Sequence, residues 1–318
     1  MAKKETTKKT VEKVNTAPPK KLKRGIILAC LDNPYYGNYA FQLALSIRHT
    51  SPTMPISLLC NDAGKGHLTE DKLAFFDKII KVNHVAVTSK GQSATLKFKM
   101  YLYDVSPYDE TIYLDADTLF LPKKSIDQMF DVIPKDCNFT MQNRGCLDLK
   151  TATPEQLNSR FTIWANSQHV KDAYKFKEGL LYNLSSELIY FKKTKEVKAL
   201  FDQAKKEYDN IKVKHENFNG GVPDELPFSI AMIKKGVYPH QDNWRPFYWE
   251  AFDKARLLHK PRDLYALYFG VSFGGNMQEN FIKKFYHNLA QFYCNKFGVP
   301  SVFALKDKRT FLPNRHTI

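Results

Sequence analysis

The chain has 318 residues, 43% of them hydrophobic and 14% aromatic, with a formal net charge of +15. That is enough for one large domain or two around a substantial core, and it excludes a wholly disordered chain. No run approaches eighteen unbroken apolar residues, the N-terminus lacks the apolar stretch of a signal peptide, and Cys30, Cys60, Cys137, Cys146 and Cys294 form no CxxC pair. The expected setting is a reducing cytoplasm, free or peripheral to a membrane, with no transmembrane segment.

Residues 1–24 hold nine basic and two acidic side chains, a net +7, which leaves +8 on the rest. This segment is expected to be a disordered basic tail. A basic tail on a basic body suits a polyanion, so contact with DNA or an anionic membrane is one expectation and simple solubilisation the other.

The predicted elements then alternate. "RGIILACL" is a strand ending at the turn-rich loop "DNPYYGN", and "YAFQLALSIRHT" is a helix. "MPISLLCND" is a second strand, "LTEDKLAFFDKI" a helix with Thr69 as N-cap, and "KVNHVAV" a further strand. "TLKFKMYLYDVS" is a helix and "ETIYLDAD" a strand. Such alternation predicts an α/β fold, a mostly parallel sheet flanked by helices, with ligands beyond the carboxyl ends of its strands. The second half is less regular. "LYNLSSELIYFKK" is a strand before a charged amphipathic helix, and "GGVPDELPFSIAMIKKG" is a loop entering a helix. "NWRPFYWEAF" is an aromatic cover, and Phe281, Phe285, Leu289 and Phe292 fall on one side of a C-terminal helix.

The chemistry concentrates in "ETIYLDADTLFLP", residues 110–122. Two carboxylates at the end of an apolar run are costly to bury unpaired. Residues two apart on a strand point the same way, so Asp115 and Asp117 can converge on one hard cation. Mg²⁺ and Mn²⁺ take oxygen ligands and leave positions for substrate phosphates. A D-x-D alone is expected about once by chance in a chain of this size; its place after an apolar strand and before "TLFLP" raises it.

"YLDADTLFL" resembles the metal-binding D-x-D segment of GT-A fold glycosyltransferases, in particular the glycogenin-like and galactosyltransferase-like family 8. "LDNPYYGNYAFQLALSIR", "MPISLLCND", "LKFKMYLYDVSPYDETIYLDAD", "LYNLSSELIYFKK" and "GGVPDELPFSIAM" resemble further segments of that family in the right order, from about residue 25 to about residue 272. The resemblance implies a GT-A domain over 25–272 and a C-terminal helical segment over 273–318. It implies a nucleotide-sugar donor, usually a UDP-sugar, a divalent metal, often Mn²⁺, and transfer with retention. Asp115 and Asp117 fall on the metal ligands, with Asp115 also facing the ribose. Tyr36 falls where a ring stacks on uracil, with Asn33 in the same loop. Lys99 falls on a lysine that contacts the diphosphate or the sugar. Asp224 and Glu225 fall on an Asp-Gln pair near the reacting sugar, Glu standing for Gln. The family takes a third metal ligand from a histidine in an "HFxG"-like segment. Here the matching "LYFG" places Tyr268 there, while His240, His259 and His287 lie in the same half of the chain. The family's "NSG" corresponds to Ser185, Ser186 and Glu187.

Three acceptors stay open: a nucleic acid such as hydroxymethylated DNA, a lipid-linked or surface glycan, and a protein or soluble glycan, with residues 281–297 as a candidate membrane face or, alternatively, a core-closing helix. The competing reading is a non-catalytic polyanion-binding protein on the same fold. No G-x-G-x-x-G follows the first strand and no G-x-x-x-x-G-K-[ST] occurs, which argues against dinucleotide and P-loop chemistry.

Overall fold

The computed structural model describes residues 22–159, 164–216, 221–249, 261–273 and 281–301. Residues 1–21 of the expected tail, read over 1–24, and His259 lie outside them. Arg24, which the sequence reading placed both at the end of the tail and at the start of the first strand, opens β1 (Arg24–Cys30), its guanidinium 2.7 Å from Glu110.

Asn33 caps α1 (Pro34–Thr50), its Oδ1 accepting from the Tyr35 amide, with Pro34 preset for the first turn. β2 (Ile56–Cys60) follows, then the single turns α2 (Asp62–Lys65) and α3 (Glu70–Leu73), then β3 (Lys78–Lys81). Two expectations fail here. The helix expected over residues 68–79 is only one turn long, because the Asp77 amide already donates to the Ile56 carbonyl and joins the sheet. Thr69 sits at the cap position, but its hydroxyl bonds the Asp71 carboxylate rather than a backbone amide. The strand expected from residue 81 to 87 becomes a 3₁₀ turn at His84–Val87. Asn83 accepts from the Val85 amide and competes with a strand ladder.

A small hairpin, β4 (Thr88–Ser89) with β5 (Gln92–Ser93), leads to a 3₁₀ helix at Thr95–Tyr101 that runs into α4 (Leu102–Val105). β6 (Glu110–Leu114) and β7 (Thr118–Phe120) flank the D-x-D residues. Then come α5 (Ile126–Val132), β8 (Phe139–Asp148), α6 (Pro154–Asn158), α7 (Ser167–Tyr174), β9 (Leu180–Lys192), α8 (Lys195–Asp209) and α9 (Glu225–Lys235). β10 (Phe247–Trp249), α10 (Pro261–Leu267), β11 (Gly270–Ser272) and α11 (Phe281–Phe297) complete the described chain.

The main sheet has the order β3-β2-β1-β6-β9-β8. β3, β2, β1 and β6 are parallel, while β9 runs antiparallel to both β6 and β8. A sheet covered on both faces explains the unbroken apolar runs of its strands. Ile26, Leu28 and Cys30 enter one core, and Ile27, Ala29 and Leu31 enter the other. α1 and α11 cover the first face, and the 3₁₀ helix, α8 and α9 cover the second. A second sheet, β10-β11-β7, lies beside the first.

α11 closes the core, as one of the two sequence readings held. Ile282, Phe285, Tyr286, Leu289, Ala290, Tyr293 and Cys294 are buried in the same cluster as β1 and α1, and the Tyr293 hydroxyl donates to the Phe120 carbonyl at 2.8 Å. Among the described residues no helix is long and apolar enough to cross a membrane.

Candidate functional site

A cleft of about 570 Å³ opens beyond the carboxyl ends of β1 and β6. It collects every site residue expected from the sequence: Asn33, Tyr36, Lys99, Asp115, Asp117, Asp224 and Glu225.

The two aspartates get there by a route the strand pleat does not describe. β6 ends at Leu114. The Asp115 carbonyl accepts from the Thr118 amide at 3.2 Å and from its hydroxyl at 2.8 Å, so residues 115–118 form a tight turn between the two sheets. The turn, not strand alternation, brings Asp115 and Asp117 to one cleft. The Phe273 amide contacts the Asp117 carbonyl at 3.4 Å, linking the turn to the end of β11.

Lys99 is the hub. Its side chain is only 4% exposed, and its ammonium lies 2.9 and 3.1 Å from the two Asp115 oxygens, 3.0 Å from Asp224 and 2.9 Å from the Ser186 hydroxyl. Three N–H groups thus meet three partners, the full capacity of an ammonium. Burial by itself would lower its pKa, but the charges of Asp115 and Asp224 outweigh burial and hold it well above the usual lysine range. The Tyr113 hydroxyl also donates to Asp115. Burial raises the Asp115 carboxyl nonetheless, opposed by Lys99 and Tyr113.

Glu225 opens α9, and its Oε1 accepts from the Ser186 hydroxyl at 3.1 Å, while its shielded Oε2 has no hydrogen-bond partner. Burial, then the neighbouring Asp224 charge, holds this carboxyl well above the usual range. Glu187 is buried beside it, accepting from the Ser185 hydroxyl and, at 3.3 Å, from Gln142, and burial raises its carboxyl too.

Ser186 and Glu187 reach the cleft through an irregularity in β9. Met141 of β8 pairs with Ile189, but the next residue, Gln142, pairs with Ser185. Three residues of β9 are therefore passed over, and such a bulge re-aims side chains. The polar "SSE" inside the apolar strand was the available sequence signal.

The first loop is equally constrained. Asp32 has φ +61°, and its carboxylate accepts from Asn61 at 2.6 Å and from the Thr95 hydroxyl. Asn33 uses its side-chain oxygen as the α1 cap. Tyr36 is 38% exposed in the first turn of α1, edge-on to Tyr39. Burial, then the charges of Asp117 and Asp115, raise its phenol. Tyr36 therefore faces both carboxylates across the cleft.

Among the described residues, six carboxylates line the cleft, Asp32, Asp115, Asp117, Glu187, Asp224 and Glu225, against one lysine, Lys99. In a chain with net charge +15 this is a local reversal of sign, and it calls for a cation. The donor set is all oxygen, which suits Mg²⁺ or Mn²⁺. Among the described residues no group of three or more His, Cys, Asp or Glu side chains converges as a complete ligand set. Among the described residues no histidine lines the cleft. Tyr268, at the position of the expected third ligand, is buried against Tyr248, and His240 packs edge-on to Trp244. His287 sits on α11.

Residues that the sequence did not single out also line the cleft, Tyr113, Trp164 and Tyr208, together with Trp249 from the segment expected as an aromatic cover. Isolated aromatics carry no motif, and only the fold assembles them.

No family model and no curated protein matches the chain. Solved structures are similar to it. The bifunctional glycosyltransferase WbbM aligns at 12% identity with a TM-score of 0.51, over 82% of this chain and 47% of its own. The galactosyltransferase LgtC, in complex with donor and acceptor sugar analogues, aligns at 15% identity and 0.50, over 89% and 98%. The glycosyltransferase GlyE of Streptococcus pneumoniae TIGR4 aligns at 14% and 0.51, over 87% and 63%. The chain thus spans less than half of WbbM and under two thirds of GlyE. These likenesses show the fold, the GT-A arrangement of a mostly parallel sheet flanked by helices.

Proposed function

We propose that the chain is a metal-dependent glycosyltransferase that moves a sugar from a UDP-sugar to an acceptor hydroxyl with retention of configuration. The observation that carries the reading is the turn that brings Asp115 and Asp117 into an acid-rich cleft beyond the sheet, with one lysine and six carboxylates among its described lining residues. The cleft volume, about 570 Å³, falls in the range of small-molecule sites. The shared fold with LgtC, solved with sugar analogues, supports the reading by analogy.

In this reading Tyr36 stacks on the uracil and Asn33 flanks it in the loop. Asp115 and Asp117 hold Mn²⁺ or Mg²⁺, which when bound neutralises charge on the diphosphate leaving group. Lys99 holds the Asp115 and Asp224 carboxylates in place and, on giving up its bond to the Ser186 hydroxyl, turns an N–H toward the diphosphate. Asp224 and Glu225 bind hydroxyls of the transferred sugar. The acceptor oxygen attacks the anomeric carbon from the side of the leaving group. The bond to the diphosphate oxygen breaks, the new glycosidic bond forms, and the acceptor proton passes to the leaving phosphate.

Incubation with a panel of UDP-sugars and Mn²⁺, with water as the acceptor, tests this. Slow release of UDP from at least one donor, lost on chelation and in Asp117→Asn, is the expected result. Absence of turnover with every donor, by a folded protein that also fails to bind UDP, contradicts it.

A further inference from the structure

Tyr208 sits near the end of α8 with 2% of its surface exposed, and it lines the cleft. Among the described residues its hydroxyl has no hydrogen-bond partner. A buried hydroxyl left without a partner is costly and rare in a native structure, so it asks for an explanation.

Its position is held firmly. Asp209, the next residue, lies 2.9 Å from the buried Lys97 ammonium and accepts from the Ser89 hydroxyl at 2.6 Å. Glu207, the preceding residue, accepts from Lys234 at 2.6 Å and from Gln203 at 2.5 Å. The last turn of α8 is thus clamped on both sides of Tyr208, to the hairpin that edges the cleft and to α9. The phenol is raised by burial and then by the charges of Asp224 and Asp209, so it stays a neutral O–H that can donate or accept. The cleft lining also includes Glu225, whose shielded Oε2 is without a hydrogen-bond partner among the described residues. A rigid hydroxyl and a carboxyl oxygen, both shielded and both unsatisfied, are groups that hydroxyls of a sugar ring can satisfy.

Resting on the donor-site reading above, we infer that the Tyr208 hydroxyl is a specificity determinant that hydrogen-bonds a hydroxyl of the donor sugar. It discriminates between epimers, because a site built to bond a hydroxyl rejects the analogue that presents none there.

The test is Tyr208→Phe, which keeps the ring and removes only the oxygen. Calorimetric Kd values with Mn²⁺ are measured for UDP, UDP-glucose, UDP-galactose, UDP-N-acetylglucosamine and UDP-xylose on both proteins, with Tm measured in the absence of ligand. The expected result is a UDP Kd unchanged within about twofold and an approximately tenfold weakening for the tightest UDP-sugar, the loss of one hydrogen bond. The spread among the four sugars narrows. The ligand-free Tm stays level or rises, because the removed hydroxyl had no partner. The inference is overturned if the variant weakens UDP as much as the UDP-sugars, if its ligand-free Tm falls, if no Kd changes, or if the wild type holds UDP but none of the four sugars. Failure of the wild type to bind UDP at all defeats the donor-site reading first and this inference with it. UDP binding with an unaltered sugar profile in the variant defeats this inference alone.

Discussion

Lys99 has three N–H groups and meets Asp115, Asp224 and Ser186 with them. Removing one member of a buried ion pair leaves uncompensated charge, at a cost of about 3–5 kcal/mol. Lys99→Met should lower the unfolding free energy by that order, measured by urea unfolding in chelator. The stabilisation from Lys99 is fully present below about pH 10.4, its unfolded value, and is lost as pH rises through the higher folded value. Glu225 runs the other way. Its folded carboxyl holds its proton more tightly than the unfolded one, so ionisation costs stability as pH rises from about 4.3 through the folded pKa. The groups acting on it are Asp224 and Glu187, which resist its ionisation, and Lys99, which favours it. Glu225→Gln should therefore match the wild type below about pH 4 and exceed it in stability at neutral pH, in metal-free protein. Thermal melts at several pH values check this, and a less stable variant at pH 7 contradicts it. At this scale Asp115 and Asp117 stood out as carboxylates ending an apolar run, whereas Lys99, Asp224 and Glu225 were reached only through the family resemblance, because a lysine on a helix and acids at a helix start carry no signal of their own. The sequence could not show that Lys99 joins Asp115 to Asp224 across more than a hundred residues.

Elements carry these residues into register. β7, β11 and β10 form the sheet beside the D-x-D turn, and a Cβ on Gly270 would lie 2.3 Å from the Leu119 carbonyl oxygen and 2.4 Å from the Phe247 ring. Gly270→Ala should cost about 1–3 kcal/mol by overpacking and, by moving β7, also weaken metal-dependent nucleotide binding. Leu289→Ala on α11 removes a fully buried side chain from the core far along the chain from the turn. It should cost about 2–5 kcal/mol in a denaturation experiment while leaving the UDP Kd unchanged. The long regular elements were legible in the residues: β1, α1, β2, β6, β9, α8, α9 and α11 all follow apolar periodicity. Segments 68–87 were not. There a side-chain bond from Asn83 and an early sheet contact from Asp77 override local propensity. The β9 irregularity at Ser186 and Glu187 was visible only as polar residues out of place.

The whole molecule shows a contrast of charge. The chain carries +15, yet among the described residues its cleft is lined by six carboxylates and one lysine. A polyanion is therefore not favoured inside the cleft unless a cation accompanies it, and a nucleoside diphosphate with a divalent metal meets that condition. Tyr268, at the position of the expected third ligand, packs in the core against Tyr248, and the proposed function has Asp115 and Asp117 hold the ion together with the substrate. The most direct measurement is calorimetric titration of UDP into the wild type and Asp117→Asn, each with and without Mn²⁺. We predict binding to the wild type that requires Mn²⁺ and falls by about a hundredfold or more in the variant, the scale of losing one carboxylate from a two-carboxylate site. Equal UDP affinity with and without the metal, or an Asp117→Asn protein that binds as the wild type does, would contradict the account.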